Sequence, residues 1–285
     1  MKKRRLKVII SVIALLLVAF FAYALWANTS LDVTQITVTE SKLPKAFDGF
    51  RIVQISDLHN AEFGKDNEKL ISRISELKPD IIVLTGDFYD SRKGGYDVPL
   101  NVAKNAVSVA PTYFVSGNHE AIADDCRAFL EELKNVGVTV LTNEAVTIEK
   151  DGEKINIAGI SDPTMQKSVS GSPADKTKSA LDKIGIIDSG YTVLLAHRPE
   201  HIDIYSDYGY DLVFSGHAHG GQFRLPFIGG LYAPHQGIFP KYTQGLHTIG
   251  ETNLIVSRGL GNSSFPFRIN NKPVVVEVEL KALRG

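Results

Sequence analysis

The chain has 285 residues, 44% of them hydrophobic and 22% charged, a balance that supports a sizeable core and excludes a disordered chain. The formal net charge is -1, yet Lys2, Lys3, Arg4, Arg5 and Lys7 precede any acid, and the body that follows holds 32 acids against 26 bases. An acidic body excludes a protein that coats nucleic acid through a basic surface, and the single cysteine, Cys126, excludes an intramolecular disulfide.

Residues 1–7 read as a basic cytoplasmic N-terminus and residues 8–27, "VIISVIALLLVAFFAYALWA", as a transmembrane signal anchor. As a helix these uncharged residues span about 30 Å, the thickness of a bilayer's hydrocarbon core. The basic cluster holds the N-terminus inside, with Tyr23 and Trp26 near the far interface and the remainder extracytoplasmic. Ala22-Tyr23-Ala24 also fits a cleavage site, which would release a secreted protein near Ala24. The apolar run exceeds the roughly 7–15 residues usual in a signal peptide, which favours the uncleaved anchor.

Residues 28–48 are expected as a linker and first strand, and residues 49–285 as one domain. There, short apolar runs alternate with helical patterns: "RIVQIS" before a helix over 67–77, "DIIVLTG" before one over 100–109, and "TYFVSG" before one over 124–134. This is the rhythm of βαβ units. Cys126, inside the third helical pattern, is expected to pack as a small apolar residue. Strands return at "VTVL", "AVTIE", "KINIAGI", "YTVLLAH", "YDLVFSG", "NLIVSRG" and "VVVEVEL". Long surface loops are expected over 165–178 and 220–245.

Polar residues gather where these strands end. "QISDLH" ends with Asp57 and His59, "LTGDFYD" with Asp87 and Asp90, and "VSGNHE" with Asn118, His119 and Glu120. "LLAHRPE" supplies His197, and "GHAHGG" supplies His217 and His219. Ligands of α/β sheets collect beyond the carboxyl ends of strands, and extended residues at i and i+2 point the same way. Asp57 with His59, and His217 with His219, are therefore expected to converge, while Asn118 and His119 diverge. Each motif alone is weak, since such pairs are common caps and turns. Five of the eight histidines at strand ends beside Asp or Asn are not. Imidazole, carboxylate and amide oxygen together suit manganese, iron or zinc better than calcium or magnesium. His201, His235 and His247 lack such a setting and read as surface or loop residues.

In this order "DLH", "GDFYD", "GNHE", "AHRPE" and "GHAHGGQ" resemble the calcineurin-like metallophosphoesterases, over most of the chain after the anchor. The tail "LIVSRGLGNSSFPFRINNKPVVVEVEL" is similar to that of the family's membrane-associated or exported bacterial branch. The resemblance implies an α/β fold, a four-layer sandwich of two mixed β-sheets flanked by helices. It also implies two divalent ions, manganese, iron or zinc: one held by Asp57, His59, Asp87 and His219, the other by Asp87, Asn118, His197 and His217, with Asp87 bridging. His119 would lie outside both shells beside the scissile phosphate as the catalytic residue, and Asp90 and Glu120 would orient ligands. The activity implied is hydrolysis of a phosphodiester, other phosphoester or pyrophosphate by metal-bound hydroxide. A non-catalytic metal-binding scaffold is the alternative, which the presence of His119 and every expected ligand disfavours.

Arg198 and Arg268 are expected to bind the substrate phosphate, with Arg224 and Arg258 nearby. The anchor makes a cell-envelope or lipid-linked phosphate the attractive substrate and the membrane the partner, and nucleic acid is unlikely. "QFRLPFIGGLYAPHQGIFP", with Phe223, Phe227, Tyr232 and Phe239, offers such a substrate an apolar lip.

Overall fold

Helix α1 (Lys2–Thr29) leads, across two residues, into β1 (Asp32–Glu40), and β2 (Arg51–Ile55) follows. Then come α2 (Glu68–Glu76), β3 (Ile81–Thr85), α3 (Asp97–Val109), β4 (Thr112–Val115), α4 (Asn118–Ile122), α5 (Cys126–Asn135) and β5 (Thr139–Val140). The second half holds β6 (Glu144–Lys150), β7 (Glu153–Gly159), α6 (Pro173–Ile184), β8 (Tyr191–Leu195), α7 (Ile202–Asp207) and β9 (Leu212–Ser215). Two small hairpins follow, β10 (Arg224–Leu225) with β11 (Gly229–Gly230) and β12 (Tyr232–Ala233) with β13 (Gly237–Ile238). The chain finishes with β14 (Gly245–Ile249), β15 (Thr252–Val256) and β16 (Val274–Ala282). This computed structural model describes residues 2–185, 187, 190–262 and 265–283. Met1, residues 263 and 264 of the tail motif, and 284 and 285 at the end of the expected domain lie outside the described residues.

Two six-stranded sheets result: sheet I in the order β1-β16-β2-β3-β4-β5, and sheet II in the order β14-β15-β9-β8-β7-β6. Both are mixed. In sheet I the pair β16–β2 is antiparallel and the others parallel; in sheet II the outer pairs are antiparallel and the inner three parallel. The period-2 alternation of strand side chains explains why the strands read as continuous apolar runs. On β3, Ile81 and Val83 enter the core between the sheets, while Ile82 and Leu84 pack outward with residues of α2, α3 and α5. On β8, Tyr191, Val193 and Leu195 face the inter-sheet core, while Leu194 packs with Ala180 and Leu181 of α6 and Tyr205 of α7. These three cores make four layers, helices on sheet on sheet on helices. Cys126 is buried at the start of α5.

Residues 28–48 contribute more than a linker. β1 pairs with β16 over nine residues, from Asp32↔Val274 to Glu40↔Ala282, at the edge of sheet I. α1 is long and apolar enough to cross a membrane, and its Ala24 and Ala27 are buried against the domain.

Candidate metal centre

The carboxyl ends of β2, β3, β4, β8 and β9 all release their next residues into one place. The expected ligands do not lie in extended chain, however. Asp57, His59, Asp87, His217 and His219 have φ of 51°, 47°, 51°, 66° and 46°, in the left-handed region. The i, i+2 rule for strands does not operate here, because these residues lie in tight turns beyond the last ladder bond. Each left-handed residue costs of order 1–3 kcal/mol, and the surroundings fix them. Asp57 N–H donates to Gly86 O at 3.0 Å and His59 N–H to Asp87 O at 3.1 Å; His217 N–H donates to Asp57 Oδ1 at 3.0 Å. The glycines before two of the motifs permit close approach. A Cβ at Gly216 would run into Asp57 Oδ2, and one at Gly117 into Asp87 Oδ1.

The turns bring two donor groups together, sharing one carboxylate. Asp57, His59, Asp87 and His219 each place a ligand atom within 4.8 Å of the others, as do Asp87, His197 and His217. His219 Nε2 is 3.5 Å from Asp57 Oδ1, His59 Nε2 is 3.2 Å from His219 Nε2, and His197 Nε2 is 3.3 Å from Asp87 Oδ2. His217 Nδ1 faces His197 Nε2 at 3.2 Å. Four imidazoles thus turn ring nitrogens toward one another and toward the Asp57 and Asp87 carboxylates. Asn118 Oδ1 is buried with no hydrogen-bond partner among the described residues, a state a native fold rarely leaves unexplained. A cation beside it would satisfy that oxygen, so the residues present fit a pair of metal ions. His197 Nδ1–H donates to Thr85 O at 2.7 Å, which fixes the tautomer that leaves Nε2 free as a ligand.

Burial sets the protonation of this cluster. It lowers His59 to about 3 and puts His217 and His219 well below their ordinary values, so all three are neutral donors at pH 7. Burial also opposes charge on His197, but the Asp87 carboxylate beside it outweighs that and raises it to about 10. Burial raises Asp57 to about 6, whereas for Asp87 the facing imidazoles, His197 first, overcome burial and hold it well below the carboxylate range.

Three further expected residues surround the donors. Glu120, buried on α4, accepts from the N–H groups of Asp87, Phe88, Tyr89 and Gly117 at 2.7–3.1 Å, fixing the turn that presents Asp87. Asp90, held by the guanidinium and backbone N–H of Arg92 at 2.8–3.0 Å, lies 3.4 Å from His119 Nδ1 and 3.9 Å from His59 Nδ1. His119 sits edge-on to His59 with ring centroids 4.6 Å apart, and its Nδ1 also meets Ser91 Oγ at 3.2 Å.

The two arginines expected to meet substrate turn inward. Arg198 is buried and clamps Asp162 through Nε and Nη2 at 2.7 and 3.1 Å. Arg268, 1% exposed, donates to Arg258 O at 2.7 Å and approaches His219 Nδ1 at 3.4 Å. Buried arginine requires such partners, and neither offers a free donor fork to a phosphate. Arg224 donates to Gly220 O and Arg258 to Asp32. The exposed bases at the centre are instead Arg92 and Lys93, the latter donating to His59 O at 2.8 Å.

His235, read as a loop residue, stacks on His217 with centroids 5.2 Å apart, and its Nδ1 lies 3.0 Å from His217 Nε2. Glu200 lies 3.7–4.0 Å from Arg198, His217 and His235. No local pattern in "YAPHQG" signals this, because His235 arrives on a loop that folds back after His219. His201 and His247 belong to neither donor group and bond Thr177 and Gln244 O.

Comparison with known proteins gives the family. The family model for calcineurin-like phosphoesterases matches residues 50–221, more than half of the chain. The chain is 32% identical over 257 residues to the uncharacterized metallophosphoesterase YkuE of Bacillus subtilis, covering 88% of this chain and 86% of that protein. It is 30% identical over 241 residues to the phosphodiesterase YaeI of Escherichia coli, covering 81% and 82%. Among solved structures, TT1561 of Thermus thermophilus superposes with a TM-score of 0.51 at 13% identity, covering 74% of this chain and 90% of that one, a likeness of fold. The turns that carry Asp57, Asp87, Asn118, His197, His217 and His219 all lie inside the matched segment, and the chain belongs to the calcineurin-like phosphoesterases, hydrolases of phosphoesters.

Proposed function

We propose that the protein is a two-metal phosphodiesterase of the cell envelope, acting on a phosphodiester at or near the membrane surface. One observation carries the two-metal reading: two donor groups share Asp87, and the buried Asn118 Oδ1 is left without a hydrogen-bond partner among the described residues. Asp57, His59, Asp87 and His219 would hold one ion, and Asp87, Asn118, His197 and His217 the other. When bound, the ions supply Lewis-acid polarisation of the phosphoryl oxygens and activation of water. The chain's own part is to orient and to move a proton. Asp90 and Ser91 engage His119 Nδ1, leaving Nε2 to protonate the departing oxygen. Glu120 keeps the shared carboxylate in place, and Thr85 O keeps His197 Nε2 turned inward.

The diester preference is supported by the phosphodiesterase name carried by the relative YaeI. The location is supported by α1: its basic start keeps the N-terminus cytoplasmic and puts the metal centre outside. The test uses the full chain in detergent, with metal content and hydrolysis of a chromogenic diester and the matching monoester measured with and without manganese. Two bound metals and manganese-dependent diester cleavage, abolished in Asp87→Asn, are expected. Retention of full metal-dependent turnover in Asp87→Asn would sink the bridging assignment.

A further inference from the structure

We infer that the tip of the first small hairpin and the base of the second, both beside the metal centre, seat in the same bilayer that α1 crosses, so that the centre opens onto the membrane surface. This inference rests on the membrane-spanning reading of α1 given above.

The first observation fixes depth. Only Ser30 and Leu31 separate α1 from β1, and the last turns of α1 lie against the domain. Tyr23 Oη donates to Asn270 Oδ1 at 3.0 Å, Lys272 Nζ sits 4.4 Å over the Trp26 ring, and Arg268 N–H donates to Asn28 Oδ1 at 3.1 Å. Phe20 meets Phe267 edge-to-face at 6.4 Å. Phe20 precedes Ala27, the end of the uncharged run, by about 10 Å of helix at ~1.5 Å per residue. Phe267 therefore reaches below the interface that Tyr23 and Trp26 mark. Phe223, which leads into β10, packs on Phe267 at 6.1 Å. The root of the first hairpin is thus tied, ring to ring, to a part of α1 that lies within lipid.

The second observation is what the hairpins display. Phe227 at the first tip is fully exposed, and Ile228, Ile238 and Phe239 are each 60% exposed or more. Large apolar groups exposed on two hairpins that adjoin at Leu231 mark a contact surface in a protein that is otherwise well packed. Charge agrees with a membrane as the partner. Lys241, exposed just after β13, and Lys272, over the Trp26 ring, are bases of the sign that anionic headgroups attract. An apolar face of this kind seats about 5–10 Å into the headgroup and acyl boundary.

The hairpins also abut the ligand-bearing turn. Leu231 N–H donates to Gly221 O at 3.0 Å, and a Cβ on Gly221 would strike Gly230, so β11 lies directly on the turn that carries His219. A substrate reaching the centre past this lip carries its phosphoester at headgroup level and an apolar part in the bilayer: a phospholipid-like or lipid-linked diester.

The experiment reads depth without reading activity. Trp26 is the sole tryptophan. The full chain in nanodiscs of phosphatidylethanolamine and phosphatidylglycerol, doped with brominated phosphatidylcholine, is compared with Trp26→Phe/Phe227→Trp, Trp26→Phe/Ile238→Trp and a control, Trp26→Phe/Leu283→Trp, beyond β16. Bromolipid should quench the tryptophans at 227 and 238 about as strongly as Trp26 and leave that at 283 bright. Quenching at 227 and 238 no greater than at 283, with Trp26 quenched, overturns hairpin docking and leaves the anchor and phosphodiesterase readings standing. An unquenched Trp26 overturns the inference by removing α1 from the bilayer, whatever the enzyme's turnover.

Discussion

Sheet I and sheet II contribute different chemistry to one site. Sheet I delivers the carboxylates of both donor groups, Asp57 and Asp87, with Asp90 and Glu120 behind them and His59, Asn118 and His119 beside them. To those donor groups sheet II adds imidazoles only, His197, His217 and His219. The difference shows in how each half is held. Glu120 fixes the Asp87 turn of sheet I through four backbone N–H groups. On sheet II the imidazoles are oriented singly, His197 by Thr85 O, His219 beside Arg268 and His217 against His235. A site that stabilises cations thus takes its anions from one half and its neutral donors from the other. The first should govern whether metal binds and the second where it sits.

The sharpest break of that division is Asp87→Asn, which removes the carboxylate both donor groups share. Lewis-acid stabilisation is worth several kcal/mol and each ~1.4 kcal/mol is tenfold in rate, so kcat/KM should fall by at least about a thousandfold, with loss of bound metal by elemental analysis. Next, His119→Ala should keep its metals and lower kcat by roughly 10²–10⁴-fold. The loss should be greater for an alkoxide leaving group than for nitrophenolate, and equal losses on both would remove His119 as proton donor. Asp90→Asn should cost about 10–100-fold in activity, the usual consequence of freeing a residue that orients ligands. It should also move the acid limb of the pH–rate profile, which a purely structural residue would leave in place.

The smallest effect concerns the one charged imidazole of sheet II. Metal-free His197 is raised to about 10 and must lose its proton to bind, while His59, His217 and His219 are already neutral. Metal loading near pH 7.5 should therefore release about one proton, and affinity should rise about tenfold per pH unit until His197's own pKa is approached. Calorimetry in buffers of different ionisation enthalpy reads that number directly. Release of three protons would mean that sheet II holds all its imidazoles charged.

Much of this was legible in the sequence because it is local. The apolar runs and their Asp, Asn and His endings mark where strands stop, and the helices expected over 67–77, 100–109 and 124–134 correspond to α2, α3 and α5. What escaped is set by distant chain. The left-handed turns at Asp57 and His217 are pinned by distant chain, the first through Gly86 O and the second through the Asp57 carboxylate, which no strand rule contains. Arg198 and Arg268 read as phosphate ligands because arginine suits phosphate; their actual partners, Asp162 and the carbonyls of Arg258 and Gly261, come from other loops. His235 had no local signal, since its neighbour His217 lies 18 positions back.

The placement of β16 bears on how the chain acquires its fold during synthesis. Gln35 of β1 and Glu277 of β16 are 242 positions apart, and β16 lies between β1 and β2, giving β1 its only strand partner among the described residues. Ladders of such high sequence separation form late, because a long loop must close first. While the ribosome is still making the second sheet, the strand nearest the anchor has no hydrogen-bonding neighbour, and the first sheet stays split. Completion of the domain is therefore timed by the arrival of its last strand beside the membrane end of its first.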